Sequence, residues 1–192
     1  MNLPNKLTIL RIVLVPFILS IYLLRGLIGD MTIYLIGVLF ILASLTDYFD
    51  GAIARKRNLV TTFGKFIDPL ADKLLVTTTL IILSNFYYIS NNGLYMWMPF
   101  WVVLIVVSRD LLISSVRIVA MSEGRVVAAK WSGKYKTAFT MITIIYYFFV
   151  MPQNTVVINY IGVSLTLISV LLTVYSAFDY FMKNKDLIFK EI

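Results

Sequence analysis

Six long apolar runs constrain this chain more than any other feature. They cover residues 7–24, 32–45, 66–88, 95–121, 135–150 and 156–182, and turn-forming or charged residues end each one. A bilayer-spanning helix needs about 20 such residues. The second run is short, but it continues into a stretch rich in aspartate. No water reaches the backbone inside hydrocarbon, so runs of this kind must close their hydrogen bonds internally, as helices. A soluble domain of 192 residues would not be 60% hydrophobic with a mean hydropathy of +0.88. The expected fold is therefore all-α: a polytopic membrane protein forming one six-transmembrane-helix bundle, a single domain over residues 1–192. No removable signal peptide is expected, because the first run is long and lacks a small-residue cleavage site. Within that run, Asn5 after Pro4 reads as a helix cap and Pro16 as a kink. Arg25, Gly26, Gly29 and Asp30 read as a turn, as do residues 90–93 and 152–154.

Charge placement orients the bundle. Lys6 and Arg11 precede or open the first run, and Arg55, Lys56, Arg57 and Lys65 lie between the second and third. Arg125, Lys130, Lys134 and Lys136 lie between the fourth and fifth, and Lys183, Lys185 and Lys190 follow the sixth. The alternate connections carry only Arg25. This alternation predicts both termini on the cytoplasmic side of the inner (cytoplasmic) membrane, with residues 47–72 on that same side. The net charge of +7 then reflects topology and anionic lipid rather than nucleic acid. The chain has no cysteine and no histidine. Disulfides, thiol nucleophiles, His/Cys zinc sites and imidazole acid–base chemistry are excluded, so any catalysis rests on carboxylates, Lys, Arg, Tyr or a bound metal.

The one strongly polar stretch inside the apolar pattern is residues 47–72. Asp47, Asp50, Gly51 and Ala54 share one helical face at i, i+3, i+4 and i+7; Gly64, Asp68 and Asp72 follow at i, i+4 and i+8 on the next helix. Two antiparallel helices joined by a short basic loop can turn all four carboxylates into one pocket. Isolated carboxylates are costly there, and four together repel. One or two hard divalent cations with oxygen ligands resolve both problems, and a pair of them is a common clamp for displacement at phosphorus. Gly51, Ala54 and Gly64 leave room for a ligand to approach the backbone, and Arg55 suits phosphate oxygens. The competing reading is a solvated interhelical loop whose acids pair locally with Arg55, Lys65 and Lys73.

These residues resemble the signature of the CDP-alcohol phosphotransferase family, D-x-x-D-G-x-x-A-R, eight residues, then G-x-x-x-D-x-x-x-D. Every fixed position matches, with residues 56–63 as the spacer. The resemblance implies a six-helix membrane core and transfer of a phosphatidyl-type group from a CDP-linked donor to an alcohol, with release of CMP. It implies that Asp47, Asp50, Asp68 and Asp72 bind two divalent cations, Mg²⁺ or Mn²⁺, and that Asp72 is also the general base. It places Gly51, Ala54, Arg55 and Gly64 at the CDP site, and it implies a homodimer. The residue inventory agrees, because a chain without histidine needs a carboxylate to take the acceptor's proton.

A second region speaks to the acceptor. Arg109 and Arg117 lie two helical turns apart, and Lys134 and Lys136 follow on the same membrane side. Charged residues on a span are rarely without function, and such a cluster beside a metal site suits a phosphate on the acceptor. The alternative is topogenic charge and anionic headgroup binding. Within the family, P-N-x-L-T-x-x-R, S-R-[DE]…S…R and G-K-x-K-T are similar to members that use glycerol 3-phosphate. That implies CDP-diacylglycerol plus glycerol 3-phosphate giving phosphatidylglycerophosphate and CMP. Asn5, Thr8 and Arg11 fall on the first of these motifs and are expected on the nucleotide side; a helix cap and a snorkelling charge are the alternatives for Asn5 and Arg11. Asp110 stands where glutamate is common. Other acceptors remain open at this point: inositol phosphate, phosphatidylglycerol or serine. Two readings from other classes are a divalent-cation transporter and a non-catalytic scaffold.

Overall fold

Each apolar run forms one long helix in the computed structural model, which describes residues 2–56, 62–89, 98–122, 131–153 and 155–183. In chain order the helices are α1 (Leu3–Leu23), α2 (Arg25–Ile28), α3 (Met31–Lys56), α4 (Thr62–Ile89), α5 (Phe100–Ser122), α6 (Trp131–Phe149) and α7 (Val156–Lys183), with a 3₁₀ turn at Met151–Gln153. Among the described residues there is no strand. The fold class is thus all-α, as expected.

Two local expectations are corrected. Asn5 is not a cap: α1 starts at Leu3 with Pro4 in its first turn and Asn2 at the cap position. Proline suits the first turn because its missing N–H would have no partner there. Asn5 therefore lies inside the helix and is buried. The turn expected around Arg25 is instead the single-turn helix α2, ended by Gly29 at φ +71°, a conformation open to glycine at no steric cost. The helix α1 continues past Pro16, and α4 past Pro69. The beginning of the fourth run, residues 95–97, and the basic residues Arg125 and Lys130 lie outside the described residues.

The six long helices form a closed ring of neighbours. The helix α1 packs on α3, α3 on α6, α6 on α7, α7 on α5, α5 on α4, and α4 back on α1. Ile36 and Phe40 of α3, Leu80 and Leu83 of α4, Val103 and Val106 of α5, and Ile144 and Phe148 of α6 meet in its core. The outer faces of the helices also carry large apolar side chains, more than a water-soluble surface usually shows. Leu10, Val13 and Phe17 of α1 and Leu167, Leu171, Val174 and Phe178 of α7 are exposed. Inside, Thr166, Ser169, Thr173 and Ser176 line the buried face of α7. Thr140 and Ser169 share a hydrogen bond of 3.0 Å, and Tyr147 and Thr166 one of 2.9 Å, between α6 and α7. Small and hydroxyl residues at helix contacts are what replaces hydrophobic association where the surroundings are equally apolar. Two helices, over Asn5–Leu23 and Val156–Lys183, are long and apolar enough to cross a membrane, with mean hydropathies of 2.0 and 2.1. This is the residue distribution of a membrane protein.

The helices α3 and α6 approach closely at Gly37. A Cβ there would lie 2.8 Å from the Phe148 Cβ and 2.8 Å from the Phe149 ring. Gly37→Ala is expected to lower thermal stability in detergent by about 1–3 kcal/mol, the usual cost of an extra carbon in a packed core. A thermal-unfolding comparison checks it; an unchanged midpoint would mean that α6 moves aside freely.

Candidate active site

Apart from Arg25 and Asp30, the charged side chains placed among the described residues collect at one end of the bundle. The N-terminal half of α1 carries Asn5, Thr8 and Arg11 at a spacing of three, which keeps them close to one face; all three are buried. That face meets the C-terminal part of α3 and the N-terminal part of α4. Arg11, which has no solvent exposure, pairs with Asp47 at 2.6 Å. Thr8 Oγ1 donates to Asp68 Oδ1 at 2.6 Å. The first N-terminal motif and two of the four motif aspartates are therefore in direct contact. Gly64 is buried on the first turn of α4, close to these residues in sequence. Asp50, Gly51, Ala54 and Arg55 continue α3 toward its end; their surroundings lie outside the described residues.

Asp72 lies one turn beyond Asp68 on α4 and is half-buried. It sits within electrostatic range of Asp47 and Asp110, which repel it, and of Arg11 and Lys136, which attract it. Next to it, Lys73 Nζ donates to Ser114 Oγ of α5. Ser114 in turn donates to the Asp110 carbonyl at 2.6 Å.

The second half of α5, the start of α6 and the second half of α7 complete this end. Arg109 Nη1 donates to Asp110 Oδ1 at 2.9 Å. Lys136, itself buried, donates to both Asp110 carboxylate oxygens at 3.0 Å. Arg109 also donates from Nε (3.1 Å) and Nη2 (2.6 Å) to Ser176 Oγ. Lys134 lies over the Trp131 ring, 4.6 Å from its centre. Arg117 faces the Tyr180 ring at 5.9 Å, and its Nε is buried with no hydrogen-bond partner among the described residues. A buried donor of this kind calls for an acceptor that is not part of the chain's described structure.

These side chains enclose a cleft of about 680 Å³. Asp72 and Lys73 of α4, Arg109 and Arg117 of α5, and Lys134 of α6 all line it. The residue expected to act as base and three of the four cations expected to bind the acceptor phosphate thus share one cavity. The fourth, Lys136, stands behind it in a small adjoining pocket that also touches Asp72 and Asp110. The sequence reading left Asp110 without a role and did not single out Ser114 or Ser176. The only signal for Ser176 is periodic: with Gly162, Thr166, Ser169 and Thr173 it forms a small, hydroxyl-rich seam at alternating spacings of four and three.

The donor chemistry at the motif aspartates fits a hard divalent cation. The groups are carboxylates, and the repulsion between Asp47 and Asp72 is what such a cation relieves. Among the described residues no three acidic side chains close around a single point. Asp47 is turned toward Arg11 and Asp68 toward Thr8.

Comparison with known proteins speaks to the family of the chain, and not to these contacts. A model of the family described as CDP-alcohol phosphatidyltransferase matches residues 1–175. A Bacillus subtilis (strain 168) protein named CDP-diacylglycerol–glycerol-3-phosphate 3-phosphatidyltransferase is 42% identical over 193 residues, covering 95% of each chain. Proteins of the same name from Salmonella choleraesuis and Shigella flexneri are each 30% identical over 184 residues, covering 93% of this chain and 92% of theirs.

Proposed function

We propose that this chain, which belongs to the CDP-alcohol phosphatidyltransferase family, transfers the phosphatidyl group of CDP-diacylglycerol to glycerol 3-phosphate, giving phosphatidylglycerophosphate and CMP. One observation carries the reading: Asp72 shares a cleft with Arg109, Arg117 and Lys134. A carboxylate that takes a proton from an alcohol thus faces cations suited to a phosphate on that same alcohol. The relatives that cover nearly the whole chain carry the name of this reaction.

In the proposed reaction Arg109, Arg117, Lys134 and Lys136 hold the acceptor phosphate. Held there, one of the acceptor's two free hydroxyls lies toward Asp72, which accepts its proton. The hydroxyl oxygen bonds to the phosphorus that bears the diacylglycerol. The bond from that phosphorus to the bridging oxygen breaks, and CMP leaves with the electron pair. Asn5, Thr8, Gly51, Ala54, Arg55 and Gly64 form the CDP side, with Arg11 holding Asp47 in place. Asp47, Asp50, Asp68 and Asp72 would hold two divalent cations, Mg²⁺ or Mn²⁺, which supply neutralisation of the diphosphate charge. Most of the rate then comes from positioning and electrostatics rather than from covalent chemistry on the protein.

The proposed setting follows from the outward apolar surface and the alternating basic connections. The chain is one domain whose six long helices span the inner membrane, with both termini and the cleft on the cytoplasmic side. Membrane lipids surround it, and it works as a homodimer. An acceptor panel tests the assignment. Purified protein is given CDP-diacylglycerol and, in turn, glycerol 3-phosphate, inositol phosphate, phosphatidylglycerol or serine, and the lipid product is identified by mass. Phosphatidylglycerophosphate should form and the other products should not. Turnover of another acceptor with glycerol 3-phosphate inert would replace this reading with the same chemistry on that alcohol. Ion flux in proteoliposomes without consumption of the CDP-lipid would favour a transporter.

A further inference from the structure

Ser176 differs from the other hydroxyls of its seam. Thr166 and Thr173 each donate to the carbonyl one turn back, at 2.9 and 2.7 Å, and Ser169 pairs with Thr140 at 3.0 Å. The first two stay within α7, and the third ties α7 to α6. Among the described hydroxyls of the α7 seam, Ser176 alone meets a charged group. It is 1% exposed, and its oxygen accepts from two nitrogens of Arg109, Nε and Nη2. Its own proton goes to the Thr173 carbonyl at 3.3 Å, so its lone pairs stay turned toward the guanidinium.

The consequence lies in what Arg109 has left. A guanidinium carries five N–H groups in a rigid plane. Ser176 takes the Nε hydrogen and one on Nη2, and Asp110 takes one on Nη1. One N–H remains on each terminal nitrogen, free to donate to an oxyanion in the cleft. Gly133, also on the cleft wall, faces Nη2, where a Cβ would sit 3.7 Å away. Asp110 alone would not fix this orientation, because it also accepts two bonds from Lys136.

We propose that Ser176 is a positioning residue for the acceptor phosphate: it holds Arg109 side-on from α7, so that the two remaining N–H groups stay free to donate to the ligand. This rests on the reading of the cleft as the acceptor site. It adds a residue outside both motif regions and gives α7 a part in acceptor recognition.

The test is a double-mutant cycle on the full-length protein in detergent, following CMP release. Ser176→Ala should raise KM for glycerol 3-phosphate on the order of tenfold, the scale of one hydrogen bond to a charged group. KM for CDP-diacylglycerol and the melting temperature should stay at their wild-type values. Ser176→Cys, which keeps the side-chain size but replaces the hydroxyl oxygen with a weak acceptor, should give the same split and serves if the alanine variant does not fold. In an Arg109→Gln background, Ser176→Ala should add no further rise, since both act through one group. An unchanged acceptor KM in Ser176→Ala, or additive effects in the cycle, would overturn the proposal. So would an equal rise for both substrates accompanied by a lower melting temperature, which marks a packing role. If Arg109→Gln itself leaves the acceptor KM untouched, the acceptor-site reading fails; if Arg109→Gln raises it and Ser176→Ala does not, only the role of Ser176 fails.

Discussion

Asp72→Asn is expected to lower CMP release by about 10²–10⁴-fold, the usual contribution of a positioned general base, while the protein still folds and retains part of its affinity for the CDP-lipid. The substitution keeps the size of the side chain and removes its capacity to take a proton. Asp72 is the motif aspartate that lines the cleft, and it stands opposite the cations assigned to the acceptor. No histidine exists to take its place. Folding should survive because the described ion pairs at this end join Arg11 to Asp47 and Lys136 to Asp110, and a neutral amide at position 72 leaves both in place. Single-turnover CMP release alongside a melting curve separates the two effects. Turnover at the wild-type rate would remove Asp72 as base.

The second large effect is expected from chelation. With EDTA in excess, CMP release should fall to background, and it should return on adding Mg²⁺ or Mn²⁺ in excess of the chelator. The argument is electrostatic. Like charges about 5 Å apart at an effective dielectric of about 20 repel by about 3 kcal/mol. A diphosphate brought beside Asp47, Asp68 and Asp72 would meet several such terms. The described cation bound to Asp47 is Arg11, and Asp72 already lies within range of the carboxylates of Asp47 and Asp110 before any substrate enters. Activity persisting in chelator at full rate would mean that the chain's own arginines and lysines do the neutralising.

The parts of this account that were legible in the sequence share one property: they follow from spacing along a single helix. The apolar runs became the six long helices because their length and composition leave the backbone little else to do. Two motif aspartates meet the N-terminal motif in separate pairs, Asp47 with Arg11 and Asp68 with Thr8. The grouping of Asp72 with Arg109, Arg117 and Lys134 was also expected, from charge and membrane side. What was not legible depends on which helix faces which. Nothing in the spacing of α5 tells that Arg109 bonds to a serine 67 positions on. The role of Asp110, between Arg109 of its own helix and Lys136 of α6, likewise emerges only once α5, α6 and α7 are packed. Asn5 was misread for a different reason. A cap and a buried first-turn amide have the same local sequence, and only the start of α1 at Leu3 separates them.

The account stands most directly on a two-by-two measurement of CMP release by the purified protein with CDP-diacylglycerol, glycerol 3-phosphate present or absent, and divalent cation present or absent. CMP should appear only when both are present. Release without glycerol 3-phosphate at the same rate, or release with it in the full absence of divalent cation, would contradict the account.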